Sequence, residues 1–271
     1  MSGAISYSDI ASFVENNISI FHDKQLEDLR KLSLVKILGG KNPYLFKVKH
    51  LNVAGDLVKY VLDAFLVSRE ETNFGEFLER LAIFINNKVY GGWKSTSIGM
   101  DLEFDKDGIH YIVSVKSGPK WGNSDQLTKM YINFDNLITN LTALNPNIPV
   151  VLVNGCCYGK DQKPAKLAKL RLEQSIKEFR YFKYCGQRFW QFVSGNPNLY
   201  IDIVEPLGHR AREKNEVFAV EYANIINKFT MQFSNDFCDT VGAIKWEELV
   251  KLSSIAIDAP SQTDRNISLS G

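Results

Sequence analysis

The chain has 271 residues, of which 45% are hydrophobic and 23% are charged. These fractions are typical of a polypeptide that buries a core, and they exclude a chain that is disordered throughout. Its 32 basic and 31 acidic side chains leave a formal net charge of +1, so a general attraction to nucleic acid or to an anionic membrane is not expected. Any site that binds a polyanion must therefore be local.

The sequence also lacks the usual signs of a membrane or exported protein. The longest apolar runs, such as 148–153, are far shorter than the roughly 18 residues of a membrane helix. The N-terminus has neither a basic nor an apolar leader region, so we expect a cytoplasmic protein with no membrane partner. The four cysteines form no C-x-x-C pair and no Cys/His ligand set, which predicts buried thiols: Cys156, Cys157, Cys185 and Cys238.

The first ninety residues are predicted to be mainly helical. Apolar residues recur at helical spacing, and the expected helices cover residues 8–15, 26–38, 54–67 and 75–88. At Ile98 the apolar period changes from about 3.6 residues to about 2, which is typical of strands. The helical region 1–90 therefore precedes a region of different architecture.

The second region, 91–258, is predicted to alternate strands with helices. In chain order we expect a hairpin of 98–104 and 108–116, a helix at 124–144, a strand at 149–154, a basic helix at 164–181, a strand at 200–203, and helices at 213–233 and 246–253. This order predicts an α/β fold, a mixed β-sheet flanked by helices on both faces. No linker interrupts it, so we expect a single domain over 1–258 and a disordered tail at 259–271.

The predicted hairpin gathers polar side chains. Asp107-Gly108 is a strong signal for a tight turn, and closing the turn there places Asp101 opposite Ser114. Side chains alternate along a strand, so a group of four should share one face: Asp101, Glu103, Ser114 and Lys116. A four-residue loop over 105–108 would shift the register by two residues and keep positions 101, 114 and 116 on one face, whereas a one-residue β-bulge would break this grouping.

An aspartate and a lysine on neighbouring strands suit phosphodiester hydrolysis. Carboxylate oxygens are ligands for Mg²⁺, and a cation can orient the attacking water and stabilise charge on phosphorus. The pattern of Asp101, a hairpin, and Ser114-Val115-Lys116 resembles the PD-(D/E)XK nuclease superfamily, and in particular type II restriction endonucleases. Two positions depart from that pattern, because Ser114 stands where an acid is usual and Met100 where a proline is expected.

The resemblance extends beyond the motif. Segments 115–126, 151–159, 185–191 and 229–249 are similar, in the same order, to restriction endonucleases that cut interrupted sites of the GGNCC kind. The likeness covers about residues 70–255. It implies a restriction-endonuclease-like fold and a Mg²⁺-dependent, sequence-specific endonuclease of double-stranded DNA. It further implies a homodimer, because both strands of a two-fold site are cut, and a cognate DNA methyltransferase as a separate protein.

The resemblance also implies roles for the residues of the hairpin. Asp101 would bind the metal and Lys116 would orient the water. Ser114 would occupy the second acidic position and act through a metal-bound water. A further acid is needed, and the resemblance allows one from the helix before the hairpin. We prefer Glu79 to Glu76, with Glu103 as the other candidate. The carbonyl of Val115 completes the set of expected metal ligands.

Polar, cationic and aromatic residues after the second hairpin strand are predicted to contact DNA, as such groups bind phosphate oxygens or read base edges. These residues are Lys120, Trp121, Asn123, Ser124 and Gln126. The alternative is a polar loop with a packed tryptophan. Lys166 and Lys169 share a face of the predicted basic helix, which either lines a DNA cleft or is an ordinary solvated face.

Other classes of function lack their motifs. There is no His-x-x-x-His or His-Asn-His arrangement, no phosphate-binding G-x-x-x-x-G-K-[ST] loop and no G-x-S-x-G elbow. Two alternatives stay open at this point. One is a repair or structure-specific nuclease of the same fold, and the other is a catalytically silent DNA-binding protein in which Ser114 replaces a lost acid.

Overall fold

A computed structural model of the chain describes residues 5–144, 146–171 and 176–255. It divides into two compact units, which we call the sheet unit (Met1–Lys24 and Glu71–Arg212) and the helical unit (Gln25–Glu70 and Glu213–Gly271). The single domain expected over 1–258 stays a prediction. The expected disordered tail, 259–271, lies outside the described residues.

The sheet unit contains a six-stranded mixed sheet with the order β1-β2-β3-β4-β6-β5. The strands are β1 (Trp93–Lys94), β2 (Leu102–Lys106), β3 (Ile109–Lys116), β4 (Val150–Cys156), β5 (Ala165–Arg171) and β6 (Ile176–Cys185). The β3–β4 and β4–β6 pairs are parallel, whereas the three remaining pairs are antiparallel. The predicted mixed α/β fold is confirmed.

Helices cover both faces of this sheet. Phe77, Leu81 and Ile85 of α4 (Ala54–Tyr90) are fully buried in a cluster with Leu102 and Val113. On the other face, Met130 and Phe134 of α5 (Ser124–Leu144) are buried with Ile112 and Leu152. Successive side chains of β3 thus pack into the two hydrophobic cores on opposite faces of the sheet. This explains why four of its eight residues are buried in a continuous run.

The turn between β2 and β3 has the predicted register. Lys106 pairs with Ile109, and the ladder continues to Leu102 and Val113. Asp107 and Gly108 have φ values of 53° and 75°, as a tight hairpin turn of the mirror-image type requires. The Asp-Gly signal therefore determines which residues face each other across the hairpin.

Two predicted elements in the later part of the chain are wrong. The basic helix over 164–181 is instead the antiparallel pair β5 and β6, in which Lys166 faces Tyr181. Ala168 and Leu170 are buried at alternating positions, and the aromatic residues of β6 favour a strand that can pair with β4. The strand expected at 200–203 is a short helix, α7 (Leu199–Asp202), anchored by buried Leu199.

The N-terminal helices differ from the prediction mainly in their limits. The first runs from Tyr7 to Arg30 (α1), so the helix expected over 26–38 is divided between α1 and α2 (Leu34–Gly39). The two helices expected over 54–67 and 75–88 form the single helix α4, which continues through Gly75. In the helical unit, Asn42 caps α3 (Pro43–Val48) by accepting from the backbone N–H of Tyr44 and Leu45.

The remaining helices are α6 (Gln187–Ser194), α8 (Val204–Leu207), α9 (Ala211–Phe237) and α10 (Trp246–Ser254). Those at 124–144, 211–237 and 246–254 match predicted helices closely. The core of the helical unit is formed by side chains from several helices, including Leu29, Leu57, Phe229, Phe233 and Leu249. In the described residues, no helix combines the length and apolar character that a membrane span requires.

Candidate active site

The site lies where β2 begins and β3 ends. Leu102 pairs with Val113 in the ladder, but the N–H of the preceding Asp101 also donates to the Val113 carbonyl (2.9 Å). Two successive residues therefore face one, which is the arrangement of a β-bulge. As a result, Asp101 does not pair with Ser114 as predicted.

The bulge directs the Asp101 carboxylate towards the end of β3. Asp101 Oδ2 accepts the backbone N–H of Val115 at 2.7 Å and lies 3.8 Å from Lys116 Nζ. The Asp101 side chain is 13% exposed and the Lys116 side chain 31%. The sequence-predicted pair of aspartate and lysine is thus brought together, although the contact depends on a backbone irregularity.

A third charged group, Lys94 on β1, joins Asp101 to Glu79. The Lys94 ammonium donates to Glu79 Oε1 at 2.6 Å and to Asp101 Oδ1 at 3.2 Å. Burial lowers the pKa of Lys94, but the hydrogen bond to Glu79 and the charge of Asp101 outweigh it, and the net pKa is raised. The preference for Glu79 agrees with this geometry, because Glu76 instead pairs with Lys24 at 2.7 Å.

Sequence reasoning missed Lys94. It stands on a two-residue strand, which has too few residues to show a period, and no motif includes it. The only available signal was its position shortly before the hairpin, and a lysine there is unremarkable without knowledge of the pairing between β1 and β2.

Glu103, the other candidate acid, has different partners. Ser95 donates its hydroxyl to Glu103 Oε1, and His110 Nε2 lies 3.2 Å from Glu103 Oε2. His110 Nδ1 is in turn 2.7 Å from Asp105 Oδ1. Glu103 therefore belongs to a network with His110, whereas Glu79 shares a cation with Asp101.

Ser114 is 1% exposed, and its hydroxyl has no hydrogen-bond partner among the described residues. Its neighbour across the β3–β4 ladder is Asn154, which is equally buried and donates from Nδ2 to the Ser114 carbonyl (3.3 Å). Asn154 Oδ1 accepts the indole N–H of Trp121 at 3.2 Å. The Trp121 ring lies beneath Lys116, with Nζ 5.3 Å from the ring centroid, so a chain of contacts leads from Asn154 to Lys116.

Of the residues predicted to contact DNA, one is an exposed lysine and three lie at the start of α5. Lys120 is exposed on the loop after β3, but Asn123 and Gln126 bond reciprocally, each side-chain oxygen accepting the other's backbone N–H at 3.0 Å. This is a capping box at the start of α5. Ser124 is the first residue of that helix, and its hydroxyl lies 3.5 Å from Asp125.

Lys166 and Lys169 do not share a face as predicted. They are three residues apart on a strand, so their side chains point to opposite sides of the sheet. Lys166 pairs with Asp161 at 2.8 Å, and Lys169 pairs with Glu178 at 2.8 Å. The shared basic face was a consequence of the incorrect helix and does not exist.

The cysteines are buried and unbridged, as predicted. Burial raises the pKa of Cys156 to about 12, and it also raises the pKa of Cys157. Both residues neighbour the end of β3, because Cys156 pairs with Lys116 in the β3–β4 ladder and the backbone N–H of Cys157 donates to the Lys116 carbonyl (2.9 Å). Burial therefore disfavours their thiolate forms, which makes both thiols poor nucleophiles.

The donor set of the site suits Mg²⁺. Mg²⁺ usually takes one or two carboxylates and keeps several waters, and two carboxylates already converge on one cation here. In the parts of the chain that the structure describes, no group of three or more His, Cys, Asp or Glu side chains could form an all-protein metal cage. The arrangement therefore fits a hydrated hard cation.

Residues 8–215 match the protein-family model of the type II restriction endonuclease EcoO109I. The chain belongs to this family. The match covers more than half of the endonuclease and includes Glu79, Lys94, Asp101, Ser114 and Lys116. A comparison with curated proteins gave no match. As a type II restriction endonuclease, the enzyme is a site-specific deoxyribonuclease whose substrate is double-stranded DNA.

Proposed function

We propose that the endonuclease hydrolyses DNA phosphodiester bonds in a Mg²⁺-dependent reaction at the site formed by Asp101, Glu79 and Lys116. The observation that carries this proposal is the convergence of Glu79 and Asp101 on one ammonium group, with Lys116 Nζ 3.8 Å from the same aspartate. Glu79 is preferred to Glu103 as the second acid, because Glu103 is engaged by Ser95 and His110.

Asp101 and Glu79 would hold the metal, with the carbonyl of Val115 as a further oxygen ligand. When bound, Mg²⁺ supplies Lewis-acid stabilisation of the charge that develops on the scissile phosphate. The ammonium of Lys116 orients the attacking water and stabilises the same charge, while the Trp121 ring limits where that ammonium can lie. Ser114 occupies the position of the second acid and has a hydroxyl free to bind a water.

A cleft of ≈ 620 Å³, lined in part by the residues that follow β4 and β6, supports an approach of DNA from this end of the sheet. Its wall includes Tyr158, whose N–H donates to the carbonyl of Ser117, and the exposed cations Lys160 and Arg188. With Lys120 these residues place positive charge next to the site in a protein of nearly zero net charge. We therefore propose that the phosphate backbone is bound here.

The type of recognition site, the oligomeric state and the partner enzyme are proposed from the family. The order of the segments that resemble restriction endonucleases, together with the hairpin motif, supports membership of the PD-(D/E)XK superfamily and an interrupted recognition site of the GGNCC kind. Cutting both strands of such a two-fold site requires two active sites related by symmetry, so we propose a homodimer. A separate DNA methyltransferase that modifies the same sequence would protect the host DNA.

Substitution of Lys116 tests the proposal. The Lys116→Ala variant should lose Mg²⁺-dependent cleavage of plasmid DNA by at least about 10²-fold, the usual loss when one positioned electrostatic group is removed. Its specific DNA binding, measured by gel shift in EDTA, should stay close to that of the wild type. Lys106→Ala is the matched control, since it removes a lysine of the same hairpin whose ammonium donates to the Tyr90 hydroxyl (3.2 Å) instead of facing Asp101.

The pattern of cleavage distinguishes the alternatives. Discrete fragments with the wild type and none with Lys116→Ala would support the proposal. A smear or cutting only at branched DNA would favour a repair or structure-specific nuclease, and no wild-type turnover at any Mg²⁺ concentration would favour a silent DNA-binding protein. Normal cutting by Lys116→Ala would refute the assigned role of this residue.

A further inference from the structure

The Lys94 ammonium is the group that lies between the two acids of the site. It contacts Glu79 Oε1 and Asp101 Oδ1, while the second oxygen of Asp101 contacts the Val115 N–H. The Glu79 and Asp101 side chains are only 26% and 13% exposed. Without a cation between them, two half-buried carboxylates would repel each other, so Lys94 provides the compensating charge.

The position of the Lys94 backbone is fixed, but its side chain is free to move. Lys94 pairs with Leu102 across the β1–β2 ladder, and the next residue, Ser95, donates its N–H to the Asp101 carbonyl (3.1 Å). The Lys94 side chain is nevertheless 53% exposed. The ammonium can therefore leave the two carboxylates for solvent without any change in the strand and without becoming a buried, unpaired charge.

A lysine and a divalent cation cannot use the same two oxygens together. Mg²⁺ binds carboxylate oxygens at about 2.0–2.1 Å, and an ammonium that donates to those oxygens would meet it at a distance of strong like-charge repulsion. Lys116 is placed differently, because it approaches only the Asp101 oxygen that faces Val115. Of the two lysines, Lys94 is the one whose contacts a metal would have to replace.

We infer that Lys94 is an internal counter-ion, which holds Glu79 and Asp101 together in the metal-free enzyme and is displaced when the divalent ion binds. The inference rests on the proposed function, since it takes these two acids as the metal ligands. It makes Lys94 a positioning residue that preserves the geometry of the empty site at the expense of metal affinity. The released ammonium then stands at the edge of the site, exposed to solvent and to bound DNA.

The test measures metal binding without DNA or turnover. Mn²⁺, which takes oxygen ligands like those of Mg²⁺, is titrated into the whole protein, and free Mn²⁺ is followed by electron paramagnetic resonance. Lys94→Met should bind Mn²⁺ about three- to tenfold more tightly, the range covered by the loss of two partly exposed ion pairs. Lys94→Arg keeps the charge and should bind Mn²⁺ with wild-type affinity. Lys106→Met, the matched control on the same hairpin, should also leave the affinity unchanged.

Thermal unfolding provides a second measurement. Without metal, Lys94→Met should unfold at a lower temperature than the wild type, because its two acids repel each other. Added MgCl₂ should raise its unfolding temperature more than that of the wild type, since tighter binding to the folded state gives greater stabilisation. If Lys94→Met does not fold without metal, Lys94→Gln is measured in its place.

Unchanged or weaker Mn²⁺ binding by both Lys94→Met and Lys94→Gln would overturn the inference. Asp101→Asn separates this result from a failure of the proposed function. If Asp101→Asn loses Mn²⁺ while the Lys94 variants bind as the wild type does, only the role of Lys94 is refuted. If Asp101→Asn binds Mn²⁺ with wild-type affinity, Asp101 is not a ligand, and both proposals fail.

Discussion

Trp121 offers a sharp test of how the site is organised, because sequence and structure suggest different roles for it. The sequence predicts a DNA contact on the loop after β3. In the structure the indole N–H donates to buried Asn154 at 3.2 Å, and the ring lies beneath Lys116. We therefore expect Trp121 to act on the rate of cleavage by positioning Lys116, and to contribute little to DNA affinity.

The size of the effect follows from the contacts that Trp121 makes. A cation–π contact at a partly exposed site contributes about 0.5–1 kcal/mol, and the hydrogen bond to Asn154 contributes about 1 kcal/mol. Trp121→Leu removes both, so the barrier should rise by about 1–2 kcal/mol and the rate should fall about five- to thirtyfold. Trp121→Phe keeps an aromatic face and loses only the N–H, so its rate should lie between those of the leucine variant and the wild type.

The assay separates the chemical step from binding. Single-turnover cleavage with saturating enzyme and Mg²⁺ reports the rate, and gel shift in EDTA reports DNA affinity, which should stay within about twofold of the wild type. Tyr90→Leu is the matched control, because Tyr90 provides a ring beneath Lys106, with Nζ 4.6 Å from the centroid. It should lower stability through its lost packing on Phe104 without slowing cleavage at saturation.

The opposite result would refute this reasoning. If Trp121→Leu weakens specific DNA binding five- to thirtyfold while its single-turnover rate at saturation equals that of the wild type, Trp121 is a DNA contact. Equal single-turnover rates for the phenylalanine and leucine variants, both below that of the wild type, would also contradict it, because the aromatic face would then have no role in holding Lys116.

Three further predictions concern two buried groups near the site. Ser114→Ala removes a buried hydroxyl that has no partner in the described structure, so the free energy of unfolding should stay equal or rise by up to about 1 kcal/mol. Mg²⁺-dependent cleavage by this variant should fall. Full cleavage would exclude Ser114 from the site. Burial raises the pKa of Cys156 to about 12, so its thiolate is scarce at pH 8 and the native enzyme should resist alkylation by iodoacetamide. Rapid alkylation of Cys156, detected by mass spectrometry, would contradict its burial. By the same linkage the folded state keeps a proton that the unfolded state loses, and stability should decline as pH rises from the ordinary thiol pKa towards 12.

The hairpin shows how far local sequence signals reach. Asp107-Gly108 can adopt the positive φ values of a tight turn, and the alternation of apolar residues beside it determines which side chains share a face, so the hairpin of β2 and β3 was predictable. The choice between the tight turn and a four-residue loop was made by the structure. The position of Asp101 was not predictable in detail. Its bulge has no sequence signature here, and it arises where β1, β2 and β3 meet.

The region 164–185 shows why other elements were missed. Its lysines and leucines have the composition of an amphipathic helix, and several apolar positions fit either a helical or a strand period. The strand assignment depends on the pairing of β6 with β4, a strand that precedes this region in the sequence, and β5 in turn pairs with β6. Tertiary pairing therefore overrode the local propensity, and the predicted lysine face of Lys166 and Lys169 disappeared with the helix.

By itself the sequence determined the α/β class, the hairpin and the helix that carries Glu79, and its motif predicted that Asp101 and Lys116 lie close together. Each of these follows from local periodicity, turn chemistry or a short motif. Only the tertiary structure decided which acid joins Asp101 and that Lys94 lies between the two. That choice depends on α4, β1 and the bulge at Asp101, which are brought together by folding. No local sequence pattern predicts that these three elements lie side by side.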